Sequence, residues 1–189
     1  MGKIYENQTI TQEAFLEAGI YGIEYFECTI ERCNLFEQEL NDCIFSNCIF
    51  KNCDLSMCKL TNTQMNDIKF ENCKIMGVDF SRCPGFLFEV NFVDCILDFC
   101  SFEKLKMANT SFRKCSMKGV DLVGTQLQNT LFDQVNLEEA TFSNTNLKEA
   151  NLSTAYNFII SPTQNNIKKA IFSENNLSGL LHEFGISIV

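Results

Sequence analysis

Eleven cysteines are the residues of this 189-residue chain that could most readily do chemistry. Thiolates bind zinc, form disulfides and act as nucleophiles, and each role has a typical spacing. Here the number of cysteines is odd, no two form a C-x-x-C pair, and most neighbours are separated by five residues or a multiple of five. This pattern indicates reduced thiols used in packing, without a metal site, and it is typical of a cytoplasmic protein.

Other catalytic side chains are sparse. His182 is the only histidine, and we expect it on the polar side of a terminal helix. The chain has no glycine-rich phosphate loop, no G-x-S-x-G and no H-E-x-x-H motif. Its carboxylates are scattered, so no pair is singled out as an acid and a base. We therefore expect a protein that is not an enzyme, with no catalytic residue and no cofactor.

The balance of charge limits the partners. The formal net charge is −9, and direct nucleic-acid binding requires a basic surface. The chain opens with polar residues and has no apolar run long enough to span a membrane. We therefore expect no direct nucleic-acid binding, no secretion signal and no membrane partner.

The spacing of the apolar residues shows which elements must carry these side chains. Every fifth residue is apolar from Ile20 to Phe80 and again, two residues out of phase, from Leu87 to Leu152. A smaller inward position lies two residues before each apolar centre, and all eleven cysteines occupy this phase. A period of five fits neither an α-helix nor a flat strand, and it predicts a solenoid with one repeat on each side.

The repeat units resemble those of the pentapeptide-repeat family. Good matches are Cys53-Asp54-Leu55, Ala140-Thr141-Phe142, Thr145-Asn146-Leu147 and Ala150-Asn151-Leu152, and the resemblance covers roughly residues 16–154. It implies an all-β, right-handed quadrilateral β-helix with about twenty residues per turn. A turn of this length stacks Phe50, Phe70, Phe92, Phe112 and Phe132 in one column and Cys33, Cys53, Cys73, Cys95 and Cys115 in another. Both columns require that Ser81–Phe86 adds two residues without skipping a side.

We divide the chain into an N-terminal cap (residues 1–17), a β-helix (residues 18–154) and a C-terminal cap and dimerisation segment (residues 155–189). In the N-terminal cap we expect a strand at Ile4–Glu6 and a short turn over Thr9–Leu16, which together cover the first turn of the coil. In the C-terminal cap we expect a strand at Asn157–Ile160, an extended piece at Lys168–Phe172, a helix at Glu174–Phe184 and a final short strand at Ile186–Val189. Ser173 is the expected N-cap of the helix, and Gly185 is expected to end it.

The predicted terminal helix carries an apolar stripe. The stripe consists of Leu177, Leu180, Leu181 and Phe184, and Ile186 and Ile188 follow it. It suits either a lid on the last turn or the seam of a homodimer, and both can hold together. The C-terminal segment resembles that of the Qnr, MfpA and microcin-immunity (McbG) proteins of the family, which implies a homodimer joined end to end.

A short bulge at residues 81–86 interrupts the period. It contains Arg82, Pro84, Gly85 and Phe86, and its proline and glycine are typical of a turn that projects from a corner. It is either a tolerated insertion or a loop that contacts a partner, since loops on rigid scaffolds often carry recognition.

The resemblance to the Qnr, MfpA and McbG group also implies a function. These proteins act on type II topoisomerases, so a DNA-mimicking rod would protect DNA gyrase or topoisomerase IV from quinolones or a peptide toxin. However, the side of the coil that carries the phenylalanine column is not acidic, because it includes Arg32, Lys51, Lys69, Arg113 and Lys114. The alternative is therefore a scaffold or interaction rod that binds another protein partner.

Overall fold

The computed structural model describes residues 3–18 and 21–186, and for residues 16–18 only the backbone. It is a right-handed, four-sided β-helix of about eight turns, which confirms the predicted fold class. No helix in the described part of the chain is long and apolar enough to cross a lipid bilayer.

Among the described residues, thirteen short strands form two of the four sides. They are β1 (Ile4–Glu6), β2 (Thr9–Ile10), β3 (Glu24–Phe26), β4 (Thr29–Glu31), β5 (Ile44–Ser46), β6 (Ile49–Lys51), β7 (Gln64–Asn66), β8 (Ile68–Glu71), β9 (Val90–Val93), β10 (Ser111–Arg113), β11 (Leu131–Asp133), β12 (Asn151–Leu152) and β13 (Ile171–Phe172). Side 1 is the parallel sheet β1-β3-β5-β7, and side 2 is the parallel sheet β13-β12-β11-β10-β9-β8-β6-β4-β2. Side 3, which contains Leu55, and side 4, which contains Phe80, are joined from turn to turn by isolated parallel bridges.

The register of side 2 fixes the length of a turn. Phe50 pairs with Phe70 and Phe112 pairs with Phe132, so a regular turn takes twenty residues. Across the break Phe70 pairs with Phe92, and that turn takes 22 residues. The segment Ser81–Phe86 therefore adds two residues without skipping a side, as predicted.

Stacked side chains fill the interior in columns. In the predicted phenylalanine column the ring centroids of successive rings lie 5.0 to 5.3 Å apart, with the planes nearly parallel. Each such pair contributes about 0.5–1.5 kcal/mol beyond the burial of its area. The predicted cysteine column is also present, and in its first step the Cys33 amide donates a hydrogen bond to Cys53 Sγ at 3.4 Å.

The small inward position supplies hydrogen-bond donors in addition to filling the interior. The Cys58 thiol donates a hydrogen bond to the Leu35 carbonyl at 2.9 Å, and the Thr63 hydroxyl donates one to the Leu40 carbonyl at 2.7 Å. Thr125 and Thr145 make the equivalent bonds on later turns. These carbonyls are buried, and a buried acceptor without a hydrogen bond costs free energy. A donor on the next turn therefore stabilises the coil.

The corners depend on left-handed backbone. In the described chain 24 non-glycine residues have φ between 51° and 67°, almost all of them two residues after an inward centre. At many corners the centre carbonyl also accepts a hydrogen bond three residues on, as from Cys58 N to Leu55 at 3.1 Å, which is the pattern of a type II turn. Asparagine tolerates this conformation best among the residues with a side chain, and nine of the 24 are asparagine.

The N-terminal residues belong to the coil as well as to its cap. Strands β1 and β2 pair with β3 and β4 and so extend sides 1 and 2 by one turn. Where a short turn is expected, the chain forms the helix α1 (Gln12–Ala18). Phe15 on this helix is fully buried and stacks on Tyr25 with ring centroids 5.8 Å apart, so α1 closes the interior.

The break differs from the prediction in one residue. The apolar series predicts Leu87 as an inward centre, but Leu87 is exposed, with φ of 60°, and Phe88 is buried instead. Phe88 packs edge to face against Phe80 with the ring centroids 6.1 Å apart. The two added residues thus move the inward position by one residue before Val90 restores the pairing of side 2.

Pairing of the coil type continues past residue 154, where the sequence pattern predicts the start of the C-terminal cap. Tyr156 and Asn166 form parallel bridges with the preceding turn, and β13 pairs with β12. The strand predicted at Asn157–Ile160 is wrong, because Asn157 takes a left-handed φ of 60° and turns the chain. Of the extended piece predicted at Lys168–Phe172, only β13 is a strand.

The predicted terminal helix is present as three short pieces. These are a 3-10 helix at Glu174–Asn176, the helix α2 (Ser178–Leu181) and a 3-10 helix at His182–Phe184. Ser173 accepts a hydrogen bond from the Asn175 amide as the N-cap, and Gly185 ends the segment in the left-handed conformation, both as predicted. The final strand predicted at Ile186–Val189 lies almost entirely outside the described residues.

Candidate interaction surfaces

The interior offers packing rather than reactivity. All eleven cysteines are buried, and none of them forms a disulfide. Burial raises the pKa of Cys48 to about 11 and those of Cys58 and Cys83 to about 12, because a buried thiolate loses its hydration. In the cysteine column, hydrogen bonds between neighbouring thiols lower the pKa values of Cys53 and Cys95, and together with burial they raise those of Cys33, Cys73 and Cys115. Thiols held protonated in this way are poor nucleophiles and poor metal ligands.

Outside the interior, the described residues contain no group of three or more histidine, cysteine or acidic side chains placed to hold a metal ion. His182 is exposed and lies at the rim of a groove of about 420 Å³, which Glu138, Phe158 and Gly179 also line. The Glu138 carboxylate is paired with Lys118 at 2.7 Å. The groove marks the junction between the last turn and the terminal segment (residues 173–186).

The bulge forms one wall of an open groove. Arg82 turns back to pair with Asp79 at 3.0 Å, whereas Phe86 is 80 % exposed. The groove has a volume of about 540 Å³, and its lining includes Gly85 and Phe86 on one wall and Lys104 and Lys106 on the other. Of the predicted loop residues, Gly85 and Phe86 therefore line the groove, while Arg82 and Pro84 do not.

The terminal segment packs against the last turn through hydrogen bonds and through a close contact between Gly179 and Phe158. The Ile160 backbone amide donates to the Gly179 carbonyl at 3.0 Å, and the Asn176 side-chain amide Nδ2 donates to the Ala155 carbonyl at 2.7 Å. A Cβ atom on Gly179 would lie 2.2 Å from the carbonyl oxygen of Phe158, so only glycine fits there.

The residues predicted for a dimer seam divide into two sets. Leu180 and Leu181 are half-buried, and Leu180 packs against the core as a lid residue. Leu177, Phe184 and Ile186 are exposed, with Phe184 at 56 %. Ile188 lies outside the described residues.

Charge is distributed unevenly over the four sides. On side 1, near the N-terminal end, Glu6, Glu24 and Glu27 are exposed and lie farther than 4.0 Å from any described cationic group. Side 2 and its corner carry Lys51 and Lys114, which also lack an ion pair among the described residues. The rod thus has an acidic side near its start and a mixed side next to it.

An apolar strip follows the corner between sides 3 and 4, and sequence reasoning missed it. It consists of Phe36, Met57, Met76 and Phe99, which we call the apolar corner. Phe99 is 61 % exposed and Met57 is 52 % exposed. The signal that could have found it is an apolar residue at one of the two outward positions after a centre, one residue on for Phe36 and Met76 and two residues on for Met57 and Phe99. This chain usually has a polar residue or glycine at these positions.

Models of pentapeptide repeats match two parts of the chain. The "pentapeptide repeat region" model matches residues 23–84, and the "pentapeptide repeats (8 copies)" model matches residues 95–134 and 121–156. A search of curated protein sequences finds no match.

Solved structures resemble the chain over nearly its full length. A trypsin-treated variant of QnrB1, described as a plasmid-mediated fluoroquinolone resistance protein, is 17 % identical, with a TM-score of 0.66 and 100 % of each chain covered. Full-length QnrB1 is 14 % identical, with a TM-score of 0.64 over 98 % of this chain and 99 % of that one.

A third solved structure is HetL from the cyanobacterium Nostoc sp. Strain PCC 7120, described as involved in heterocyst differentiation regulation. It is 15 % identical, with a TM-score of 0.58 over 94 % of this chain and 86 % of that one. At these identities the likeness is one of fold. Together with the repeat models, which match most of the β-helix, it shows that the chain belongs to the pentapeptide-repeat family.

Proposed function

We propose that this protein is a non-enzymatic, rod-shaped binding protein that protects a type II topoisomerase, DNA gyrase or topoisomerase IV, from a quinolone or a peptide toxin. The observation that carries the proposal is the match in fold to QnrB1, a fluoroquinolone resistance protein, along the whole chain. This function would place the protein in the cytoplasm, together with its target.

The proposed mechanism is DNA mimicry. Duplex DNA presents closely spaced negative charges along its axis, and a topoisomerase site that binds it is complementary to them. Glu6 and Glu24 lie at opposite ends of the paired strands β1 and β3 on neighbouring turns, and Glu27 follows Glu24 on the same turn. Their unpaired carboxylates make this end of side 1 negative, and the summed field would attract a basic DNA channel.

A supercoiling assay tests the proposal. We expect the purified protein to restore supercoiling by gyrase in the presence of a quinolone or a peptide toxin. The double variant Glu24→Lys, Glu27→Lys should lose this protection, because it reverses charge where no described cation neutralises it. Lys51→Glu on side 2 is the matched control, and it should protect as well as the unmodified chain.

Circular dichroism checks that the coil of each variant is intact. We expect it to be unchanged, because all three substituted side chains are exposed. If the unmodified protein neither protects gyrase nor retains it on an affinity column, the topoisomerase proposal is wrong.

A second candidate function is an interaction rod for another protein partner. It is favoured by the cations Lys51 and Lys114 and by the apolar corner, because DNA mimicry uses neither of them. It predicts that the affinity column captures a protein other than a topoisomerase, and that capture survives the Glu24→Lys, Glu27→Lys substitution.

We also propose that two copies join through the terminal segment. Leu177, Phe184 and Ile186 are exposed at one end of the rod, where their burial against a second copy would remove apolar area from water.

A further inference from the structure

We propose that the apolar corner (Phe36, Met57, Met76 and Phe99) is a docking site for an amphipathic α-helix of a protein partner, with apolar anchors on one face and lysine or arginine beside them. The proposal rests on the proposed role of the rod as a binding protein. It does not depend on whether that partner is a topoisomerase.

Two of the four side chains stand at positions that are unfavourable to them on two counts. Met57 and Phe99 have φ of 60° and 61°, in the left-handed region that bulky side chains avoid, and more than half of each side chain faces solvent. Both lie in regular twenty-residue turns, whose register does not depend on a bulky apolar side chain at this position. Strained backbone that carries an exposed apolar side chain is typical of a site that recognises something.

Packing does not account for these residues. Met57 lies over Gly77 and Phe99 lies over Gly119, each so close that a Cβ on the glycine would be 2.6 or 2.7 Å from the covering side chain. Lys104 covers Gly124 in the same manner with its aliphatic stem. A charged residue is therefore sufficient to cover a corner glycine, and the apolar choice at Met57 and Phe99 needs another reason.

The geometry suits a helix that lies along the rod axis. Backbone hydrogen bonds of 2.8 to 3.0 Å link the corner from turn to turn, from Glu37 to Ser56, from Met57 to Met76 and from Gly77 to Asp98. Each of the four turns thus offers one apolar side chain, at levels about 4.8 Å apart. The side chains alternate between two adjacent corner positions, with Phe36 and Met76 one residue after the centre and Met57 and Phe99 two residues after it. An α-helix presents side chains of one face at intervals of three or four residues, or about 5 Å, so four of its anchors can meet the four turns.

The flanking charges define the rest of the partner. Glu37 and Asp98 lie beside the apolar corner without an ion pair among the described residues. The cations of sides 3 and 4 at these levels are already paired, Lys59 with Glu39 at 2.5 Å and Lys74 with Asp54 at 3.4 Å. The border of the corner is therefore negative, and the complementary helix carries positive charge next to its anchors.

The probe is a labelled synthetic helix about 18 residues long, with leucine at every third or fourth position and lysine beside it. Fluorescence anisotropy measures its affinity for the full-length protein. We expect the unmodified chain to bind this peptide, and Phe99→Asn and Met57→Asn each to weaken binding by about tenfold or more. A peptide of the same composition with scrambled leucine positions, and one with glutamate in place of lysine, should bind no better than the variants.

The substitutions are chosen so that loss of binding is not loss of folding. Asparagine suits the left-handed corner, so both variants should melt at or above the temperature of the unmodified protein. Leu87→Asn is the matched control, because Leu87 is likewise exposed and left-handed but lies directly after the bulge, away from the apolar corner. It should leave the peptide affinity unchanged.

The proposal is overturned if the unmodified chain does not prefer the leucine and lysine peptide, if Phe99→Asn binds it as well as the unmodified chain, or if Leu87→Asn weakens binding equally. No topoisomerase is present in this assay. Its failure is therefore distinct from a failure of drug protection in the supercoiling assay.

Discussion

Cysteine and threonine share the small inward position because both side chains can donate a hydrogen bond to a carbonyl of the preceding turn. Cys58 and Thr63 do so on adjacent sides of one turn. Alanine and valine fill the same position elsewhere, as at Ala150 and Val120. The requirement is therefore first for a small volume and second for a donor, and cysteine meets both.

This account predicts the effect of Thr63→Val. The substitution keeps the branched shape but removes the hydroxyl that donates to Leu40 at 2.7 Å. We expect the free energy of unfolding to fall by about 1–2 kcal/mol in a urea titration, because a buried acceptor loses a partner. Thr61→Val is the control, since Thr61 is exposed, and it should change stability by less than about 0.5 kcal/mol. Equal effects at both positions would contradict the role of the hydroxyl.

The left-handed corners are the other constraint at this scale. A non-glycine residue in that region costs roughly 1 kcal/mol or more, yet the coil repeats it on every side. The cost is offset by the parallel pairing that each corner permits. Asparagine lowers it, which explains the abundance of asparagine at these positions.

Among the elements, the stacked columns are those that the sequence predicts best. The closed interior admits only side chains of certain volumes at each inward position. The period of five therefore places similar side chains at equivalent positions of successive turns, which gives the phenylalanine and cysteine columns. Where neighbouring residues are both apolar, as at Leu87 and Phe88, the period cannot select the inward one. At Asn157–Ile160 the alternation is that of a strand, but the backbone of Asn157 turns a corner.

The candidate surfaces are harder to predict for a physical reason. Side chains at outward positions face solvent, so their size is not restricted by packing. The repeat pattern therefore predicts that they are exposed but does not predict which of them bind a partner. Phe99 is unusual because a bulky apolar side chain occupies an exposed, left-handed corner position, which only its place two residues after Leu97 could have indicated. The bulge could be located from Pro84 and Gly85, since these residues break the period itself.

The terminal segment is the element whose attachment can be tested most directly. Gly179→Ala would place a methyl group 2.2 Å from the Phe158 carbonyl oxygen, so α2 must move away from the last turn. We expect a loss of about 1–3 kcal/mol in the free energy that holds the segment in place. Faster hydrogen exchange at the Ile160 amide, which donates to Gly179, would report this. Ser178→Ala, at an exposed neighbour, should leave that exchange rate unchanged.

For the whole molecule, the proposed homodimer depends on residues that the lid does not need. Replacing Leu180 with lysine would disturb the lid as well as a seam, because Leu180 packs against the core. Leu177→Lys with Phe184→Lys separates the two roles, since both side chains are exposed. We expect light scattering to show half the mass of the unmodified protein, with the circular dichroism of the coil retained.

Ile4→Lys is the control for this pair, because Ile4 is an exposed apolar residue at the opposite end of the rod. It should leave the mass unchanged. A monomeric mass for the unmodified protein would exclude the seam.

The 22-residue turn has a consequence for how such a rod can evolve. Elsewhere in the coil, gaining or losing one residue would swap buried and solvent-facing side chains all the way downstream. At residues 81–86 two extra residues are absorbed before Val90, and the later turns keep their register. This site can therefore accept a longer graft, natural or engineered, and change what the rod recognises while the stack beneath it stays as it is.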